Sequence, residues 1–166
     1  MRHMADATGY TPQVCVIGAG AAGLAAGKAL ADRGIFFDWF EKGSYVGGLW
    51  QIDNDNDAVA AYRTLHLNSS RPLTQYPSFP MPDDWPDYPS HELMATYFQT
   101  FAEANGLLDR ITFRTSVISV TPVPTRGKPG SAGWDVELSS GDTRGGSQRT
   151  SLGAQHPGIP RRLLRG

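Results

Sequence analysis

The amino-acid sequence predicts an α/β protein: a parallel sheet flanked by helices, with a small β-hairpin or meander inserted and a truncated, disordered C-terminal tail. Three observations carry this expectation. The first forty residues run from an apolar stretch through a helix-forming stretch to a second apolar stretch. A glycine triplet closes the first of these. Much later, "WDVEL" (Trp134 to Leu138) alternates apolar and polar residues as a half-buried strand does.

The elements follow in order. Residues 1–12 form a polar leader expected to be flexible. Gln13 to Ile17 is a short apolar run ending in glycine, the pattern of a buried parallel strand. Ala19 to Arg33 is rich in Ala, Leu and Lys, strong helix formers, and Gly34 closes the segment. Ile35 to Phe40 is a second strand, so a right-handed β-α-β crossover places the two strands in parallel. Gly43 to Trp50 is a turn-rich loop. Tyr76 to Pro89 holds five prolines, too many for a helix interior or a central strand. Ser90 is the expected N-cap of a helix with Glu92 in its first turn. Leu93, Met94, Tyr97, Phe98 and Phe101 then repeat at helical spacing up to Gly106. Ile111 to Phe113 and Val117 to Val120 read as short strands, and "SSGD" after "WDVEL" as a turn.

Bulk properties bound the function. A chain of 166 residues is one domain, or a little more, and can bury a real core. Its 40% apolar and 19% charged residues are those of a globular protein. The net charge of −1 points to neither nucleic acid nor an anionic membrane as partner. The single Cys15 excludes an internal disulfide and fits a reducing compartment. The leader has no apolar export core and no run approaches a membrane span, so the expected location is cytoplasmic. Charge is distributed unevenly: residues 1–142 hold all 16 acids, whereas residues 143–166 hold five arginines and no acid. That basic tail lacks any apolar period and is expected to be unstructured. The chain therefore divides into the leader, a partial Rossmann-type domain at 13–142, and the tail at 143–166.

Gly18, Gly20 and Gly23 spell G-x-G-x-x-G between a strand and a helix. Gly18 permits the tight turn, Gly20 lets the backbone approach a pyrophosphate, and Gly23 allows close packing of helix and strand. The helix N-terminus offers unpaired N–H groups and about half a positive charge to the phosphates. Glu41 stands 18 residues after Gly23. A carboxylate there can accept hydrogen bonds from both ribose hydroxyls and would repel the extra phosphate of NADP. A glycine triplet alone is a weak signal, but strand, helix, second strand and acid occur here in sequence. The ligand indicated is FAD or NAD. The paired Gly47-Gly48, followed by Leu49 and Trp50, allows a second close backbone approach, which suits a larger cofactor.

Other patterns carry less. "DNDND" (Asp53, Asp55, Asp57) begins like a calcium loop, but Ala58 and Thr64 stand where the glycine and the bidentate glutamate are needed. His66 and His91 have no Cys or Glu at metal-ligand spacing, so no metal site is expected. The aromatic stripe on the 90–105 helix is core.

"VIGAGAAGL", "FEK" with "GGLW", "YRTLHLNSSR", "FPMPDDWPDYPS" and "YFQTFAEANGLLDRITFRTSVISV" together resemble the flavin-containing monooxygenases. These are class B flavoprotein enzymes related to Baeyer–Villiger monooxygenases, and the likeness spans about residues 12–142. The resemblance implies an FAD-binding, Rossmann-type domain, with Gly18, Ala19, Gly20, Ala21, Ala22 and Gly23 lining the ADP moiety. It implies Glu41, with Lys42 beside it, at the adenosine ribose, and Gly48, Leu49 and Trp50 along the flavin side. Asn68 and Ser69 match a pair beside the isoalloxazine; read without the resemblance they satisfy a turn. An amide such as Asn68 suits a catalytic, orienting role because it donates and accepts without titrating. The resemblance further implies NADPH as reductant, oxygen as co-substrate, and a small molecule with a soft nitrogen or sulfur, or a ketone, as substrate.

The family pattern also includes a second G-x-G-x-x-G for NADPH and the fingerprint "FxGxxxHxxx(Y/W)", which this sequence does not contain. It includes an apolar strand after "VELSSGDTR", where "GGSQRTSLGAQHPGIP" stands instead. The expectation is thus an N-terminal portion without turnover of its own, its reading frame shifted or cut near Arg144. A non-catalytic flavin-binding remnant and a small NAD-binding Rossmann protein are the alternatives. The sequence specifies neither the substrate nor an oligomeric state.

Overall fold

The computed structural model describes residues 14–56, 61–124, 132–139 and 147–152. The expected leader therefore lies outside the described residues, as do most of the "SSGD" turn and most of the basic tail.

Strand β1 (Val14–Ile17) and strand β2 (Phe37–Phe40) pair in parallel, with Val14 opposite Phe37 and Ile17 opposite Phe40. Helix α1 (Ala21–Asp32) connects them. It ends in a Schellman motif: Gly34 sits at φ +63°, its N–H reaches Ala31 O at 3.0 Å, and Ile35 N–H reaches Leu30 O at 3.0 Å. That turn takes up Ile35 and leaves Phe36 exposed, so β2 begins two residues later than the apolar run suggested. Thr112 extends the sheet, bridging Phe40 in parallel and exchanging backbone hydrogen bonds with Trp39 and Glu41.

The proline-rich segment is turns, preceded by a short helix α2 (Arg71–Thr74) with Pro72 in its first turn. Helix α3 (His91–Ala104) buries Met94, Tyr97, Phe98 and Phe101, as the spacing predicted, together with His91 and Ala102, while Leu93 of the same pattern is half-buried. Ser90 occupies the N-cap position but its hydroxyl gives no cap; it donates to Glu92 Oε2 at 2.8 Å. A second Schellman motif ends α3, with Gly106 at φ +59° and Leu107 fully buried beyond it.

Strands β3 (Val117–Pro124), β4 (Ala132–Ser139) and β5 (Ser147–Leu152) form an antiparallel meander. β5 falls inside the basic tail, most of which is expected to be unstructured. Its pairing with β4, from Ser139–Ser147 to Trp134–Leu152, uses the backbone ladder, which needs no apolar period. The main core gathers Leu24, Trp39, Val46, Met81, Met94 and Leu107 with an aromatic cluster around Tyr76, Phe79 and Phe101. A smaller one packs Phe40 against Val136 and Leu138, fixing the meander to the parallel sheet.

Candidate cofactor-binding site

The glycine loop is built at the C-terminal end of β1. Gly18 adopts φ +87°, a conformation that side chains rarely accept, and so turns the chain out of the strand. Its N–H donates to Phe40 O at 2.8 Å, and its carbonyl accepts from Trp39 Nε1 at 2.9 Å. A Cβ on Gly23 would stand 2.0 Å from that carbonyl oxygen. Glycine at 23 is therefore required by the protein itself. Gly20 is the N-cap of α1 in extended backbone, and a Cβ there would meet only Gly48 Cα at 3.8 Å.

The N-terminus of α1 has no side-chain cap and no acid in its first turn. Leu24 N–H takes Gly20 O at 2.9 Å, so the amides of Ala21, Ala22 and Gly23 precede the first intrahelical acceptor. Ala21 and Ala22 are exposed. An anion approaching this turn along the helix axis would meet several donors and the positive end of the helix dipole.

Glu41 lies under the loop, 4% exposed. Its Oε2 accepts from Ala19 N–H at 2.6 Å and its Oε1 from Gly43 N–H at 2.7 Å. The carboxylate thus ties the glycine loop to the segment after β2, a structural task that the motif alone does not assign. Each oxygen keeps a further lone pair. The second glycine pair closes the cleft from the other side: Gly47 at φ +105° and Gly48 at φ +57° begin a 3₁₀ turn, Gly48–Trp50. Gly47 N–H donates to Ala19 O at 2.9 Å, and a Cβ on Gly48 would come within 3.2 Å of Gly20 Cα. Leu49 is 54% exposed, Trp50 half-buried and Lys42 exposed.

Residues 18–23, Glu41 and Gly48 are therefore one assembly. Asn68 and Ser69 belong to another stretch. Asn68 is exposed, Ser69 Oγ pairs with Thr74 Oγ1 at 2.7 Å, and among the described residues no hydrogen bond joins either to the glycine loop. Leu67 N–H, just before them, bonds Pro89 O at 2.8 Å, which places the pair at the start of α3.

Three supporting residues are not apparent from the sequence motifs. Trp39 is 1% exposed and backs the loop. Gly27 faces its ring, where a Cβ would fall 2.2 Å from Cζ3. Tyr76 donates its hydroxyl to Ala21 O at 2.6 Å from across the chain, and burial pushes its pKa upward. A signal for Gly27 was available: Gly23 and Gly27 are four apart and share one face of α1.

Ser44 gives both its N–H (2.7 Å) and its hydroxyl (2.6 Å) to Asp55, and these bonds hold that carboxyl below its ordinary range. Among the described residues no group of three or more His, Cys, Asp or Glu could hold a metal. Among them, too, no helix is long and apolar enough to cross a membrane.

A model of the family described as flavin-binding monooxygenase-like matches residues 11–147. The mouse protein named dimethylaniline monooxygenase [N-oxide-forming] 4 is 40% identical over 126 residues, which is 75% of this chain and 22% of that protein. The mouse form 2 is 37% identical over 144 residues, 86% of this chain and 26% of that protein. The chain thus spans about a quarter of the length of these curated relatives. Among solved structures, S-allyl-L-cysteine S-oxygenase from Allium sativum superposes with a TM-score of 0.67 at 25% identity. That match covers 82% of this chain and 34% of the enzyme.

Proposed function

The chain belongs to the flavin-binding monooxygenase-like family, a family of flavin-dependent oxidoreductases, and from that premise we propose that it binds FAD through the glycine loop. The observation that carries the reading is the uncapped N-terminus of α1 set behind the left-handed turn at Gly18, where a Cβ on Gly20 would meet only Gly48 Cα at 3.8 Å. The amides of Ala21, Ala22 and Gly23 would hold the diphosphate. Lone pairs left on Glu41 would accept the adenosine ribose hydroxyls, and a 2′-phosphate would meet that buried carboxylate and be repelled. The approach of Gly48 to Gly20 provides a second backbone wall, which favours FAD over the shorter NAD. Leu49, Trp50, Asn68 and Ser69 would flank the flavin.

Bound FAD would supply the redox chemistry of a monooxygenase, passing electrons from NADPH to oxygen and one oxygen atom to a small nucleophilic substrate. In that setting Asn68 offers a hydrogen-bond donor and an acceptor whose state does not change with pH. Its exposure leaves the amide open to a cofactor or substrate.

The test is direct. Chain purified after supplementation with FAD should carry visible flavin absorbance near one flavin per protein, and titration of flavin-free chain should quench flavin fluorescence to saturation, with NAD failing to compete. With one glycine fingerprint in the sequence, NADPH-driven oxygen uptake is expected to be absent. Colourless, well-folded material that ignores added FAD would overturn the proposal.

A further inference from the structure

Tyr76 belongs to the proline-rich segment, far in sequence from the glycine loop, yet its hydroxyl donates to Ala21 O at 2.6 Å. Three rings of α3 hold its own ring in place: Phe101 at 4.3 Å between centroids, Tyr97 at 5.7 Å and Phe98 at 6.1 Å. Its backbone N–H donates to Tyr97 Oη at 2.7 Å, and that hydroxyl donates to Phe79 O at 2.6 Å. Ring and backbone are both fixed, so the hydroxyl is a preorganised donor. Burial pushes its pKa upward and keeps the proton on the oxygen.

A neutral hydrogen bond open to water adds little to stability, and its direction is the informative part. In an α-helix the carbonyl of residue 21 already accepts the N–H four residues on, so Tyr76 is a second donor to it. That carbonyl and the Ala22 N–H are the two ends of one planar peptide group. Leu24 N–H is the first in α1 to reach an intrahelical acceptor, Gly20 O at 2.9 Å. The Ala22 N–H stands before it, on an exposed residue at the helix start. A donor at the carbonyl end of a peptide draws electron density from the nitrogen and makes the N–H at the other end a stronger donor. The same bond fixes the tilt of the peptide plane. The hydroxyl proton is committed to Ala21, so Tyr76 has none to give an anion directly.

We propose that Tyr76 is a positioning residue for the cofactor: through the Ala21–Ala22 peptide it aims and strengthens the Ala22 N–H for the diphosphate. The role rests on the FAD-binding reading above and adds to it a group outside the glycine fingerprint. It also makes the proline-rich segment, braced by α3, a support of the phosphate-binding turn.

Tyr76→Phe keeps the ring and its packing and removes only the hydroxyl. Made in the full 166-residue chain, the flavin-free variant should melt within about 4 °C of the parent. FAD and ADP should each bind it about three- to tenfold more weakly, whereas adenosine, which has no diphosphate, should bind within about twofold of the parent. Before any ligand is added, the amide nitrogen resonance of Ala22 should move upfield, and further than those of Ala21 and Gly23. Unaltered FAD affinity in the variant, adenosine weakened as much as FAD, or an unmoved Ala22 resonance would overturn the role while leaving FAD binding in place. A parent chain that binds neither FAD nor ADP would remove the cofactor reading itself, and this role with it.

Discussion

Replacing Gly23 by alanine isolates what the glycine loop owes to packing. The new Cβ would stand 2.0 Å from Gly18 O and 3.0 Å from its carbonyl carbon. Ordinary contacts between such atoms lie near ~3.5 Å, so the peptide must retreat by roughly 1–1.5 Å. The obstructing atom is backbone and cannot swing aside. The upper end of the overpacking range, about 3 kcal/mol, is therefore expected. That oxygen also accepts Trp39 Nε1 at 2.9 Å, and losing the bond adds about 1 kcal/mol. Alanine recovers up to about 1 kcal/mol of helix propensity. The net is a loss of about 3 kcal/mol, or about 1.5 M in urea midpoint for a slope of about 2 kcal/mol/M. Gly20→Ala is the control. Its Cβ meets Gly48 Cα at 3.8 Å in a backbone conformation that alanine accepts, so stability should hold within about 0.5 kcal/mol. The same methyl fills the space before the loop, and FAD affinity should drop by at least about tenfold. Urea unfolding and flavin titration of both variants give the answer. If Gly23→Ala unfolds within about 0.5 kcal/mol of the parent, or if the two variants are equally destabilised, the packing argument fails.

Three further outcomes follow from named groups. Glu41→Gln places an NH₂ opposite one of two backbone amides now bound to carboxylate oxygens at 2.6 and 2.7 Å, and chemical denaturation should register a loss of about 2–3 kcal/mol; a change below about 0.5 kcal/mol would remove Glu41 from its bridging role. Burial and the Asp38 carboxylate push Cys15 up from 9.0 to about 11, so at pH 8 the folded chain should react with a thiol reagent about a hundredfold more slowly than the unfolded chain. Because the folded thiol holds its proton more strongly, its contribution to stability is complete below about pH 9. It is lost as the pH rises towards 11, and Tyr76 and Tyr97, also raised, act in the same direction above pH 10. Unfolding midpoints that climb from pH 9 to 11 would contradict this.

What was legible from sequence was whatever rests on local pattern. The β1-α1-β2 unit follows from apolar runs and glycines, and α3 from the spacing of Met94, Tyr97, Phe98 and Phe101. The glycine fingerprint and Glu41 stand where the motif set them. What required the structure depends on direction and partner. A carboxylate at position 41 can face a ligand or the backbone, and only the fold shows it gripping Ala19 and Gly43. Ser90 fits the cap rule, yet its oxygen accepts no first-turn amide and its hydroxyl donates to Glu92 Oε2 instead. β5 pairs with β4 through the backbone ladder, and no apolar period in its sequence announces it. The contact of Gly27 with Trp39 joins residues from two elements, and its distance could not be inferred from spacing.

The ties on Ala19, one from its N–H to Glu41 and one from Gly47 to its carbonyl, have a kinetic meaning. A loop already braced on both sides has its shape before any nucleotide arrives. Loading should then proceed as a single encounter whose observed rate rises linearly with nucleotide concentration, without a slow tightening phase. The empty and filled forms of this corner should superimpose, and the ordering entropy that a floppy loop would lose on capture has here already been settled during folding.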